Sequence, residues 1–229
     1  MGAENGAAPP AASPRRGRTP TRSRREIADA AIALADRKGL VAVTMRSVAQ
    51  SLDTGAASLY RYISTRGELL ALMVDEVNGE FALHGPDRRS WEAQMLELAH
   101  QARAIYRRHP WLIDALNTTP ALGPNGCAFL DHAIAVLAPT RADGGTMLEA
   151  VGVFNGLARL LCKEERDQRL AAETEAHAAL ALADQLSAVA SPTGPYPHLA
   201  AALADTGPPD DQFDRVLRRV LSGLLPSEH

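Results

Sequence analysis

At 229 residues the chain has room for one large or two small domains with an ample core, built mostly from Ala, Leu and Val because only 4% of residues are aromatic. No run of about 18 uninterrupted apolar residues occurs and the first residues lack an apolar leader, so neither a spanning helix nor a secretory signal is expected, and a cytoplasmic protein is. The net charge of −3 hides a gradient: up to Arg66 there are 11 Lys and Arg against 5 Asp and Glu, a balance of +6, which leaves −9 for the rest.

Residues 1–21 are rich in Ala, Pro, Gly and Ser with no apolar period, which predicts a disordered arm. Arg15, Arg16, Arg18, Arg22, Arg24 and Arg25 make its second half and the residues that follow basic. Such an arm either follows DNA phosphates and enters a minor groove, or only solubilises the chain. A helix over 24–38 follows, with Ile27, Ala31, Leu34 and Ala35 on its inner stripe and Gly39 beyond its end.

Residues 44–70 organise everything else. Thr44 is an N-cap for a helix over 45–52, whose Val48, Ala49 and Leu52 share one face. Asp53-Thr54-Gly55 breaks it, with Gly55 expected to supply an unusual backbone angle. A second short helix over 56–63 turns Leu59 and Ile63 inward and leaves Ala56, Ala57, Ser58, Tyr60, Arg61 and Tyr62 more exposed. Small residues at its start, then aromatics and an arginine, suit close approach to a rigid polar surface. This is a helix-turn-helix pattern with the second helix as major-groove reader. Thr65 and Glu68 have the T-x-x-E spacing of a capping box opening a third helix, expected to reach about residue 83 before Gly85-Pro86-Asp87.

In order, the segment REIADAAIALADRKGL, the entry Val43-Thr44-Met45-Arg46-Ser47-Val48-Ala49, the run Ser58-Leu59-Tyr60-Arg61-Tyr62-Ile63 and the exit Thr65-Arg66-Gly67-Glu68-Leu69-Leu70 resemble the tetracycline-repressor (TetR/AcrR) family of bacterial regulators. The resemblance implies an all-α protein with an N-terminal three-helix helix-turn-helix domain (22–70) and a C-terminal helical bundle (71–229) for effector binding and dimerisation. It also implies that the third helix acts as a lever between them. On the DNA side, Thr44, Arg46, Ser58, Tyr60 and Arg66 form the expected positioning set. Gly55, Ala56, Ala57, Arg61 and Tyr62 form the groove-facing set. Arg61 suits either a bidentate pair with guanine or a phosphate contact.

The body reads as wholly helical. Ser90 caps a helix over 91–108; His109-Pro110-Trp111 breaks it and starts a short one to about residue 116. Gly123-Pro124-Asn125-Gly126 reads as a loop before a helix over 127–137, and 139–145 as another break. A long helix over 146–165 is expected, then a further one over 166–190. A Pro-rich stretch over 191–209 holds a helical turn near 199–204. Asp210-Asp211 caps a last helix ending by residue 225, with Phe213, Val216, Leu217, Val220, Leu221 and Leu224 at helical spacing.

In the resembled family the long and last helices pair with their symmetry mates as a four-helix bundle. The resemblance therefore implies a homodimer on a palindromic double-stranded operator, with Gly152 and Gly156 allowing close helix approach. Candidate lining residues for an apolar or aromatic effector are Leu98, Ala102, Trp111, Asn117, Phe129, His132, Met147, Val151 and Asn155. The Ser90-Trp91 start and the long helix with Ala150-Val151-Gly152 and Phe154 look like the tetracycline-repressor branch. There a histidine after the short helix binds the drug's magnesium ion; the matching position here is Leu116, so tetracycline is not assigned.

Catalysis is not expected. There is no G-x-S-x-G elbow, phosphate loop, H-E-x-x-H or thiolate cluster, and the seven histidines lack metal-ligand spacing. Cys127 and Cys162 are too isolated for a disulfide framework or metal site and read as inert buried thiols. No cofactor and no metal are implied. The sequence thus describes a repressor released by a small molecule, with a ligand-independent or activating DNA binder as the alternative.

Overall fold

The computed structural model describes residues 23–85, 87–118, 122–174, 196–204 and 212–225. The expected arm over 1–21, the cap at Asp210-Asp211 and most of the stretch over 175–211 lie outside them. Among the described residues the secondary structure is helical throughout.

Helix α1 (Arg24–Lys38) begins at Ser23, which accepts from the Glu26 N–H while the Glu26 carboxylate receives the Ser23 N–H at 2.7 Å. This reciprocal box opens the helix at Arg24, where the sequence reading placed its start without naming a cap. Gly39, at φ 76°, ends the helix in a conformation that a side chain disfavours. A 3₁₀ turn, Leu40–Ala42, leads to α2 (Met45–Ser51), capped by Thr44 through the Ser47 N–H at 3.1 Å. Ser47 Oγ in turn accepts the Thr44 N–H at 2.9 Å.

The unusual backbone angle in the next turn belongs to Asp53 (φ 49°); Gly55 is extended at φ −80°, contrary to expectation. Helix α3 is one turn, Ala56–Leu59, rather than eight residues. The Leu59 carbonyl accepts from both the Tyr62 N–H (2.8 Å) and the Ile63 N–H (3.0 Å), so the ladder tightens and stops. Leu59 and Ile63 are nonetheless fully buried, as their spacing required.

Helix α4 (Arg66–Asn78) starts at Thr65, which accepts from the Glu68 N–H. The return half of the expected box is displaced by one residue: the Glu68 carboxylate takes the Ser64 N–H at 2.8 Å. The helix ends at Gly79, earlier than expected, and Phe81 beyond it meets Phe129 in a tilted ring contact with centroids 4.6 Å apart.

Helices α5 (Trp91–Arg108) and α6 (Trp111–Thr118) form the corner that the HPW sequence indicated. Helix α7 is Pro124–Leu137: the expected loop is its first turn, with Pro124 at a position where its missing N–H costs nothing. After a 3₁₀ turn (Ala138–Thr140), α8 runs unbroken from Gly144 to Thr174, so no helix boundary falls at residue 166. Arg166 instead pins α8 to the α5–α6 corner through Asp114 and the Pro110 carbonyl, both at 3.0 Å. Helices α9 (Pro197–Ala204) and α10 (Gln212–Leu224) complete the described chain.

Two cores result. The first joins α1–α4 to Ile105, Trp111, Leu112 and Ala115 of the α5–α6 corner. The second is α5, α7, α8 and α10, with Phe154, Leu137, Leu217 and Leu221 fully buried. Each such side chain contributes about 1.5–3 kcal/mol by leaving water. Residue 70 lies inside α4, whose buried apolar residues all belong to the first core.

Candidate nucleic-acid interface and body cavity

Thr44, Arg46, Gly55, Ala57, Tyr60, Arg61 and Arg66 are exposed, and Ser58 is half-buried. Tyr60 is 54% exposed, a large ring held in water beside two small residues. A Cβ at Gly55 would meet nothing within 4 Å, so packing within the chain does not require glycine there. Two expected groove residues behave differently. Ala56 and Tyr62 are half-buried against the first core, because the one-turn α3 rotates them toward Leu59 and Ile63. Arg66 is partly committed inside the chain, donating to the carbonyls of Val43 (3.3 Å) and Leu40 (3.2 Å).

The first residue of α1 holds the reading turn. The Arg24 guanidinium donates to the Tyr62 carbonyl at 2.6 Å and pairs with Glu68 at 2.7 Å. The Ser64 N–H, followed by the Arg24 guanidinium, holds the Glu68 carboxyl below the ordinary glutamate range. Sequence alone offered no signal for a contact across 44 residues.

The first core carries a polar joint between front and body. His109, 4% exposed, meets Asp36 of α1 through Nδ1 (2.7 Å) and Glu80 through Nε2 (3.0 Å). Trp111 Nε1 donates to the same Asp36 oxygen at 2.7 Å. Trp111 is therefore a core and joint residue and does not line the body cavity, which corrects the effector expectation. A second joint ties α4 to α7. The buried Asp75 carboxylate accepts the Gly126 N–H at 2.9 Å, and Asn125 Nδ2 donates to the Asp75 carbonyl at 3.0 Å.

Directly beside that joint lies a cavity of about 270 Å³. Of the nine expected lining residues it gathers Ala102, Phe129 and Asn155. Leu98 and His132 line a separate, more polar cleft of about 470 Å³. Val151 is buried in the second core, Met147 packs against that core, and Asn117 faces solvent at the end of α6. The cavity walls that sequence reasoning missed are Asn78 and Phe81 at the end of the lever, Tyr106 of α5 and Arg159 of α8. Burial pushes the Tyr106 phenol up to about 12, reinforced by Cys162 and opposed by the Arg159 guanidinium. Cys162 is buried as expected, but Cys127 is exposed on α7. Among the described residues no group of three or more His, Cys, Asp or Glu is placed to hold a metal ion. None of the described helices is long and apolar enough to cross a membrane.

Family models match both halves. Residues 27–73 match "Bacterial regulatory proteins, tetR family", and residues 85–227 match "Tetracyclin repressor-like, C-terminal domain". The chain belongs to the TetR family. This TetR-family protein is a helix-turn-helix DNA-binding transcriptional regulator, and its relatives are regulators too. It is 34% identical over 218 residues to the HTH-type transcriptional repressor DrrR1 of Streptomyces coeruleorubidus, covering 92% of this chain and 80% of that one. An HTH-type transcriptional regulator of Saccharopolyspora erythraea is 30% identical, covering 87% and 83%. ActR of Streptomyces coelicolor, solved in complex with actinorhodin, superposes with a TM-score of 0.76 at 25% identity, covering 90% of this chain and 96% of that one.

Proposed function

We propose that this TetR-family regulator is a repressor that binds a palindromic operator as a homodimer and is released by a small apolar or aromatic effector in the α5–α8 body. The observation that carries the reading is the exposed tip of α3, where Ala57, Tyr60 and Arg61 project beside the exposed cap residue Thr44. The division is residues 22–70 for DNA and 71–229 for effector and dimer, with 1–21 as a basic arm.

One reading turn makes too few contacts for specific binding, and two of them about 34–36 Å apart span successive major grooves. An unpartnered apolar stripe supports the pairing: Leu148, Val153 and Leu160 on α8 and Leu224 on α10 are all exposed. Covering them with a second copy follows the rule that large apolar patches mark interfaces.

The repressor name of DrrR1 and the actinorhodin complex of ActR support the effector. Ligand in the 270 Å³ cavity touches Asn78 and Phe81, where the lever ends, so a ligand preferring one lever position shifts the reading turns out of register. Inverting a 99:1 population takes about 5.5 kcal/mol of differential binding.

Selection of bound sequences from random duplex DNA tests this. A two-fold symmetric site with half-sites one helical turn apart is the expected result. Recovery of no enriched sequence at low ionic strength defeats it. Leu160→Lys is expected to abolish both the dimer in light scattering and tight operator binding.

A further inference from the structure

The charges around the cavity are lopsided. Body arginines near it have carboxylate partners: Arg103 and Arg107 pair with Glu165, Arg108 with Glu80, and Arg166 with Asp114 and Asp167. Arg159 does not. Among the described residues its guanidinium bonds only the Leu116 carbonyl, at 3.2 Å, and no Asp or Glu lines the cavity it enters. A guanidinium offers five donors, so most of its capacity is unspent. The side chain is only partly exposed, so its remaining donors face the pocket and water rather than a carboxylate.

Around this cation the walls are flat and apolar. Phe81 and Phe129 meet in a tilted ring contact at one side, Tyr106 of α5 adds a third ring, and Asn78 and Asn155 add neutral amides. At about 270 Å³ the volume falls just below the usual range for small-molecule pockets, which limits the occupant to a compact ring system. A planar group with an ionised oxygen meets both demands. The rings take its faces and the guanidinium fork takes its charge.

We infer that the effector of this cavity is an aromatic anion, a carboxylate or phenolate on a planar frame, and that Arg159 is its specificity-determining residue. The inference rests on the reading of this cavity as the effector site. Pairing neutralises the unspent guanidinium beside Leu116, so occupancy bears on α6 and on the lever's end together.

The probes are naphthoate and its uncharged counterpart naphthamide, titrated into the full chain at pH 7 by calorimetry. Wild type is expected to bind naphthoate at least about tenfold tighter, as a charge-assisted contact requires. Arg159→Leu is expected to remove that preference by weakening naphthoate far more than naphthamide, and Arg159→Lys to restore part of it. Phe129→Ala weakens both. Equal binding of the two probes, or an unchanged preference in Arg159→Leu, overturns the anion inference and leaves the cavity reading intact. If neither probe binds wild type, the effector-site reading of the cavity fails, and the inference with it.

Discussion

Asp75 of the lever helix occupies the space that a side chain at residue 123 would fill. A Cβ built on Gly123 would lie 2.3 Å from Asp75 Cγ, while the same carboxylate accepts the Gly126 N–H. A carboxylate from one helix thus closes the N-terminus of another, where partial positive charge favours it. Gly123→Ala is expected to destabilise the protein by about 1–3 kcal/mol, the usual cost of overpacking. Urea unfolding of Gly123→Ala, Asp75→Ala and the pair checks it. The double variant should be more stable than the sum of the two losses predicts, and strict additivity would refute the steric conflict.

The reading turn makes two separable predictions. Tyr60→Ala should weaken binding to every duplex, because the exposed ring positions the turn on the backbone. Arg61→Ala should relax preference at one base pair, by about 1–3 kcal/mol of discrimination. Selected-sequence profiles of both variants decide. An unchanged profile for Arg61→Ala retires its readout role and leaves a phosphate contact.

The Glu68 clamp on the reading turn gives an acid dependence. Its folded carboxyl titrates below the ordinary value of 4.5, first through the Ser64 N–H and then through Arg24. A depressed folded value stabilises above the unfolded one and is lost as pH falls through the folded one. Melting temperature should therefore drop on acidification from about pH 5 downward. Glu68→Gln should flatten part of that drop, and an identical profile would dismiss the clamp.

The two thiols should differ sharply. Cys162 is buried and pushed up to about 12 by desolvation, then by Glu165, against the pull of Arg103, Arg107 and Arg169. Cys127 is exposed on α7. A disulfide exchange reagent at pH 8 should modify one thiol quickly in native protein and the second only on unfolding. Cys127→Ser should abolish the fast phase.

Periodicity and capping residues made much of the fold legible before any coordinates. The inner stripe of α1, the Thr44 cap, the inward Leu59 and Ile63, and the α5–α6 corner at His109 all depend on neighbours within a turn or two. Local chemistry decides such features, so local spacing reveals them. The same applies to the exposed Tyr60 and Arg61, which lie opposite the buried stripe.

Other features needed distant chain. Arg24 at the start of α1 bonds Tyr62 and Glu68, and Trp111 bonds Asp36 instead of facing the candidate cavity. Gly123 became a cradle for Asp75, and Arg159 became a cation with no carboxylate partner among the described residues. The chain by itself settled which faces turn inward, because apolar spacing along a helix is a property of neighbours in sequence. Which charges meet, and which are left facing empty space, was decided only when helices far apart in the chain packed together.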